Sequence, residues 1–282
     1  MTDASPALKL HELIRTVASR LGDCHMLEAT DGTTTTLVDT LNITTGMPSF
    51  SGRQIMISSG TNEGQARLVA NTDHATSTIS FGGAALGAAI VAGVSAFAVN
   101  AKGGGFTLLE YKEHLNEAVR SVRGIARVSV VSTNLSVDSS TQTLAIPDTM
   151  SEVYAVEWLD QDGITWSDLS GANMRGNDGW WVDETNSTII LDPFMSNYYH
   201  GMTVRLRGEG KHDDFTTYTS TSRIHPRYLV SRACYTLGLM GIDRDVHGNR
   251  RTQVPQFQRE SEAELAIVRT RREPTSVGVR QD

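Results

Sequence analysis

Residues 106–122 read FTLLEYKEHLNEAVRSV, and this stretch decides how the rest of the chain is read. Leu108, Tyr111, Leu115, Val119 and Val122 recur at spacings of three and four and share one helical face, while Glu110, Lys112, Glu113, Asn116, Glu117 and Arg120 take the other. Gly103, Gly104 and Gly105 break the chain before the helix and Gly124 closes it. A helix with one buried side and clean stops is expected to act as a hinge between two β-rich regions. No residue on it suggests chemistry.

On its N-terminal side, residues 75–101 carry no charge, and FGGAALGAAIVAGVSAFAV places Gly83 and Gly87 in GxxxG spacing. Glycine and alanine dominate this run, and Leu, Ile, Phe and Val are too sparse to drive insertion, so a Gly/Ala loop followed by a buried strand near 95–99 is expected in place of a membrane span. Between Thr30 and Phe81, the runs QIMI (54–57), RLVA (67–70) and TSTISF (76–81) read as short strands separated by turn residues. The turn Gly60-Thr61-Asn62-Glu63-Gly64 lacks the Gly-Lys-Ser/Thr ending of a phosphate loop. Ser5 as N-cap and Pro6 at the first helical position open a leading helix whose apolar stripe is Leu10, Leu13, Ile14, Val17 and Leu21. With Asp3 and Glu12 present and no apolar run, that terminus does not read as a secretory signal.

On the C-terminal side, strands are expected from about Arg127 to Ser222, including VYAVEWL (153–159), TIIL (188–191) and TVRLR (203–207), in the pattern of an antiparallel sandwich. Trp158, Trp166, Trp180 and Trp181 all lie here, with Tyr198 and Tyr199; they read as core or subunit contact, the other reading being an aromatic platform for sugar or bases. From Pro226 a second amphipathic pattern runs through Tyr228, Leu229, Ala233, Leu237 and Met240 to Gly241. Ile242–Asn249 imitates a calcium loop at Asp243, Asp245, His247 and Gly248 but puts Val254 where the bidentate Glu belongs, so a surface turn is expected. The remaining tail interleaves arginines with Glu260, Glu262, Glu264 and Glu273, and its thin apolar face suggests either a disordered terminus or an arm that orders on a partner.

The 282 residues suffice for two folded regions, and a net charge of −7 argues against a protein that grips nucleic-acid phosphate. Cys24 and Cys234 alone indicate no disulfide framework and suit a reducing compartment. The eight histidines fall in no HExxH or serine-elbow pattern, and His212, Asp213 and Asp214 read as a solvated run. No catalytic, cofactor-binding or metal-ligating residue is assigned, and the chain is not read as an enzyme. The expected fold class is α+β: a helical layer of three main helices with two inserted antiparallel β-rich regions, the second a β-sandwich. The expected divisions are an N-terminal helix (1–24), a first β-rich region (25–104), the central helix (105–125), a β-sandwich insertion (126–223), a C-terminal helix (224–248) and an Arg-rich tail (249–282).

This order of parts, with the turn GTNEGQARLV, the helix EYKEHLNEAVRSV, LAIPDTMSEVYAVEWL, TVRLRGEG and IHPRYLVSRACYTLGL before an Arg-rich tail, resembles the head-to-tail connector (adaptor, or neck) proteins of tailed bacteriophages. The resemblance implies a ring of typically about twelve copies, below the portal protein and above a tail or tail-completion protein, with DNA passing through its lumen without specific binding. It implies location in the virion neck after folding in the host cytoplasm, with no membrane involved. It assigns helical packing to Leu10, Leu13, Val17, Leu108, Leu115, Val119, Leu229 and Leu237, and portal docking to Arg250, Arg251, Arg259, Arg269, Arg271 and Arg272. The alternative is a carbohydrate-binding tail or decoration protein of a phage virion, with the tryptophan-rich region as receptor surface.

Overall fold

The computed structural model describes residues 8–99, 105–122, 128–168, 180–222, 224–242 and 249–270. It divides into two compact units, residues 1–125 with 213–282 and residues 126–212.

In the first unit, helix α1 (Leu10–Arg20) leads into β1 (Cys24–Glu28), β2 (Asp31–Gly32), β3 (Thr36–Val38), β4 (Gln54–Ile57), β5 (Ala66–Asp73), β6 (Thr78–Gly82) and β7 (Ser95–Val99). These make a seven-stranded antiparallel sheet in the order β1-β7-β4-β5-β6-β3-β2. Its two ends are one piece of chain. Ala29 N–H donates to Val94 O on the β7 side, and the next residue, Thr30, donates to Val38 O on the β3 side, both at 2.8 Å, so the sheet closes on itself. Period-2 alternation then sends Leu27, Leu37, Ile55, Val69, Ile79 and Ala98 inward to one apolar cluster formed entirely by residues of the sheet and its loops. Met56, Phe97 and Val99 alternate with cluster residues and are equally buried, so β4 and β7 are apolar on both faces.

Helices α2 (Leu108–Val122), α4 (Pro226–Met240) and α5 (Asn249–Thr270) complete this unit, and α1, α2 and α4 pack against one another while α5 packs on α4. The second unit contains β8 (Val128–Ser136), β9 (Thr143–Ala145), β10 (Glu152–Leu159), β11 (Trp166–Asp168), β12 (Trp180–Asp183), β13 (Thr188–Leu191), the short α3 (Pro193–Tyr198) and β14 (Thr203–Gly210). A four-stranded sheet, β11-β10-β14-β8, and a three-stranded sheet, β12-β13-β9, bury Val156, Val204 and Leu206 of the one with Leu144, Ile189 and Leu191 of the other.

The expected helical layer carrying β insertions is therefore wrong. The described residues are mostly β, in three antiparallel sheets, with five helices of 6 to 22 residues. The physical reason is the closed sheet: it owns an interior and needs no helix to bury its inner face. Amphipathic helices give a strong signal over a few turns, whereas each two- to nine-residue strand gives a weak one, and the helices consequently dominated the pattern. Ser5 and Pro6 lie outside the described residues; within them, Glu12 accepts the Lys9 backbone N–H at 2.7 Å at the start of α1. No described helix is long and apolar enough to cross a membrane, and residues 83–94 run as loop into β7.

Three turns between successive strands share one solution. DHATST (73–78), DSSTQT (138–143) and DETNST (183–188) each start with an Asp that caps the loop and carry a non-glycine residue at positive φ in the last position but one, Ser77 at 52°, Gln142 at 55° and Ser187 at 52°. The left-handed region costs an L-residue roughly 1–2 kcal/mol, of which glycine's greater unfolded freedom takes back about 0.5–1. Ser187→Gly is expected to raise the melting temperature of the second unit by about 2–4 °C in calorimetry. Ser77→Gly gains less, because Ser77 Oγ donates to Ile43 O at 2.8 Å.

Candidate functional site

Every residue assigned to helical packing is buried: Leu10, Leu13 and Val17 on α1, Leu108, Leu115 and Val119 on α2, Leu229 and Leu237 on α4. Polar contacts lock the helices to the β-structure. Asp23, just ahead of β1 and almost fully buried, accepts the Phe106 backbone N–H at 2.8 Å and the Tyr111 hydroxyl at 2.7 Å through Oδ2. Glu63, in the GTNEG turn, takes Lys9 Nζ at 2.7 and 2.9 Å and His11 Nε2 at 2.8 Å, and the Lys9 hydrogen bond holds its carboxyl below the usual range. Asn116, buried although the sequence pattern put it on the polar face of α2, accepts Phe215 N–H through Oδ1 at 2.7 Å, and exposed Arg120 pairs with Asp214, so α2 ties down residues 214 and 215. The run His212 to Asp214 is thus only partly solvated: His212 is buried and Asp214 is paired.

The arginine-rich tail divides. Its helical part does find a core within its own chain: Val254, Phe257, Ser261 and Val268 recur on one face and are buried in α5, which packs on α4. Gly238 of α4 sits where a Cβ would come within 3.0 Å of Val254, which sets how closely the two helices approach. Arg20 of α1 meets Glu260 at 2.5 Å and lies over the Phe257 ring at 5.4 Å. Arg251 and Arg259 face solvent on the outer side of α5, the latter with Nε donating to Pro255 O. The side chains of Arg250 and Arg269, and residues Arg271 and Arg272 altogether, lie outside the described residues, as do Asp243, Asp245, His247 and Gly248 of the calcium-like loop.

The two thiols carry no reactivity signal. Burial pushes Cys24 up to about 11 and Cys234 up to about 12, leaving both protonated at neutral pH. Among the described residues no group of three His, Cys, Asp or Glu side chains could hold a metal ion.

Among the described residues the second unit carries an open cleft of about 690 Å³ lined by Trp158, Asp160, Gln161, Asp162, Tyr198 and Thr203 among others. Trp158 is half-buried, with its ring edge-to-face on Tyr199 at 4.3 Å, and Tyr199 meets Tyr198 at 4.8 Å. No family model and no curated protein matches this chain. The site therefore rests on its own geometry. Trp166 is half-buried under Arg205 at 4.3 Å, Trp180 is half-buried, and Trp181 points outward from β12, opposite in sense to its neighbour as strand alternation requires. Sequence reading had picked out Trp158, Tyr198 and Tyr199 but not Asp160 or Asp162. The signal for those was the DQDG turn joining two strands, which places both carboxylates at the tip beside Trp158.

Proposed function

We propose that this chain is a structural virion protein of a tailed bacteriophage, a head-to-tail connector that closes into a ring of about twelve copies between the portal and the tail, with the genome passing through its lumen. The observation that carries the reading is α5. It is anchored to α4 by its apolar face and to α1 by the Arg20–Glu260 pair, and it turns Arg251 and Arg259 outward at the start of the arginine-rich C-terminal run. A fixed helix presenting exposed cations is what an arm reaching a partner needs, because the helix does not have to be ordered again at the moment of docking. The net charge of −7 suits a lumen from which DNA phosphate slides free. Ring closure requires two different, mutually complementary sides on each copy, and such heterologous contacts are built by packing and shape more than by exposed ion pairs.

The test is co-sedimentation of the purified chain with portal-bearing, tail-less heads. Arg251→Glu/Arg259→Glu is expected to weaken attachment to the heads at least tenfold and to flatten its salt dependence, with the melting temperature unchanged. Attachment by the double variant equal to the parent would remove α5 as the docking element.

A further inference from the structure

We propose that the cleft at the tip of the β10–β11 hairpin is a saccharide-binding site, taking a single pyranose ring with its apolar face on Tyr198. This does not rest on the connector reading and holds for the monomer as for a ring. Tyr198 is 64% exposed although its ring is braced edge-to-face by Tyr199, which is itself buried against Trp158. A large aromatic ring that is braced by a neighbour and mostly exposed offers contact area at little entropic cost to a ligand. Of the two carboxylates beside it, Asp162 is spent on its own loop: it accepts Ile164 N–H and Thr165 N–H at 2.8 Å each, and the Thr165 hydroxyl. Those bonds fix the tip. Asp160 accepts Ser167 Oγ at 2.9 Å through Oδ2, while among the described residues its Oδ1 has no partner. Gln161 adds an exposed amide to the lining, and Thr203 a hydroxyl.

The mixture of donors and acceptors selects the ligand class. Gln161 and Thr203 both donate and accept, and Asp160 only accepts. A sugar's hydroxyls do both as well, so vicinal hydroxyls can be satisfied by the Asp160 carboxylate and the Gln161 amide together. A lysine- or arginine-like cation only donates and would leave the amide and hydroxyl donors without acceptors, while the one carboxylate with capacity to spare would be its sole counter-charge. At about 690 Å³ the cleft falls within the 300–1,000 Å³ range of ordinary small-ligand sites.

Saturation-transfer NMR on the full chain with the methyl glycosides of glucose, galactose, rhamnose and N-acetylglucosamine tests this, with tryptophan fluorescence as titration signal. At least one glycoside is expected to give ring-proton saturation with Kd of about 1 mM or tighter. Tyr198→Ala and Asp160→Asn, both at the surface, are each expected to weaken binding tenfold or more with unchanged melting temperature. Silence from all four glycosides overturns the proposal. So does binding that survives Tyr198→Ala, or a response to agmatine alone, which would make the cleft a cation site.

Discussion

Gly210→Ala unfolds the second unit. A Cβ at Gly210 would lie 1.9 Å from Thr149 O and 2.8 Å from a Val130 methyl, and one at Gly208 would lie 2.0 Å from Glu152 O. Both residues belong to β14, which is paired on its two sides by β10 and β8, so the backbone cannot move away from one neighbour without straining the other. Overpacking a core usually costs 1–3 kcal/mol, and here the clash is with backbone oxygens in a strand held from both sides, so a cost of at least about 3 kcal/mol is expected for Gly210→Ala, and a similar one for Gly208→Ala. All four tryptophans lie between residues 158 and 181, so their fluorescence reports this unit alone. The expected result is a tryptophan unfolding transition lowered by well over 10 °C, or already complete at room temperature. Gly201→Ala, at φ 76° with nothing within 4 Å, is the control and is expected to cost only about 1 kcal/mol. Equal transitions for Gly210→Ala and the parent would refute the packing of β14.

Asp23→Ala is expected to be the most damaging substitution in the first unit. Its buried carboxylate is the acceptor for both the Phe106 N–H and the Tyr111 O–H, and it is the negative charge facing the half-buried His25 and buried Arg53. Deleting it strands two buried donors and a buried cation, a loss of about 3–5 kcal/mol. Tyr111→Phe removes one bond with its donor and is expected to cost about 1 kcal/mol, and Asp23→Asn to fall between the two. Far-UV circular dichroism during urea unfolding, in which the helices dominate, gives this ranking. A loss for Asp23→Ala no larger than for Tyr111→Phe would mean that the carboxylate does not join the two segments.

How far the sequence led is visible residue by residue. The Leu108 to Val122 periodicity placed α2, and Ser95–Val99 was recognisable as a buried strand because an uncharged run too poor in Leu, Ile and Phe to insert in a membrane still had to be buried. What periodicity could not show was that Ala29 and Thr30 switch partners in successive residues and so close the sheet, since closure depends on pairings across the sequence and not on local pattern. That single event reversed the relation of helix to sheet. The docking of α5 was hidden for a related reason: Val254, Phe257 and Val268 are too few to build a core, and Gly238 on another helix lets the first two approach closely. In the cleft, the aromatic residues stood out by type, whereas Asp160 and Asp162 looked like any acidic turn. Several described acidic turns are in fact caps, as Asp73, Asp138 and Asp183 show, their carboxyls held low by hydrogen bonds within their own loops.

The connector reading meets its most direct test in negative-stain electron microscopy of the purified chain mixed with DNA-filled, tail-less heads carrying their portal. The account predicts one ring of about a dozen subunits with a central hole, seated at the portal vertex. Bare vertices together with a chain that stays monomeric by mass photometry in the same mixture would contradict it.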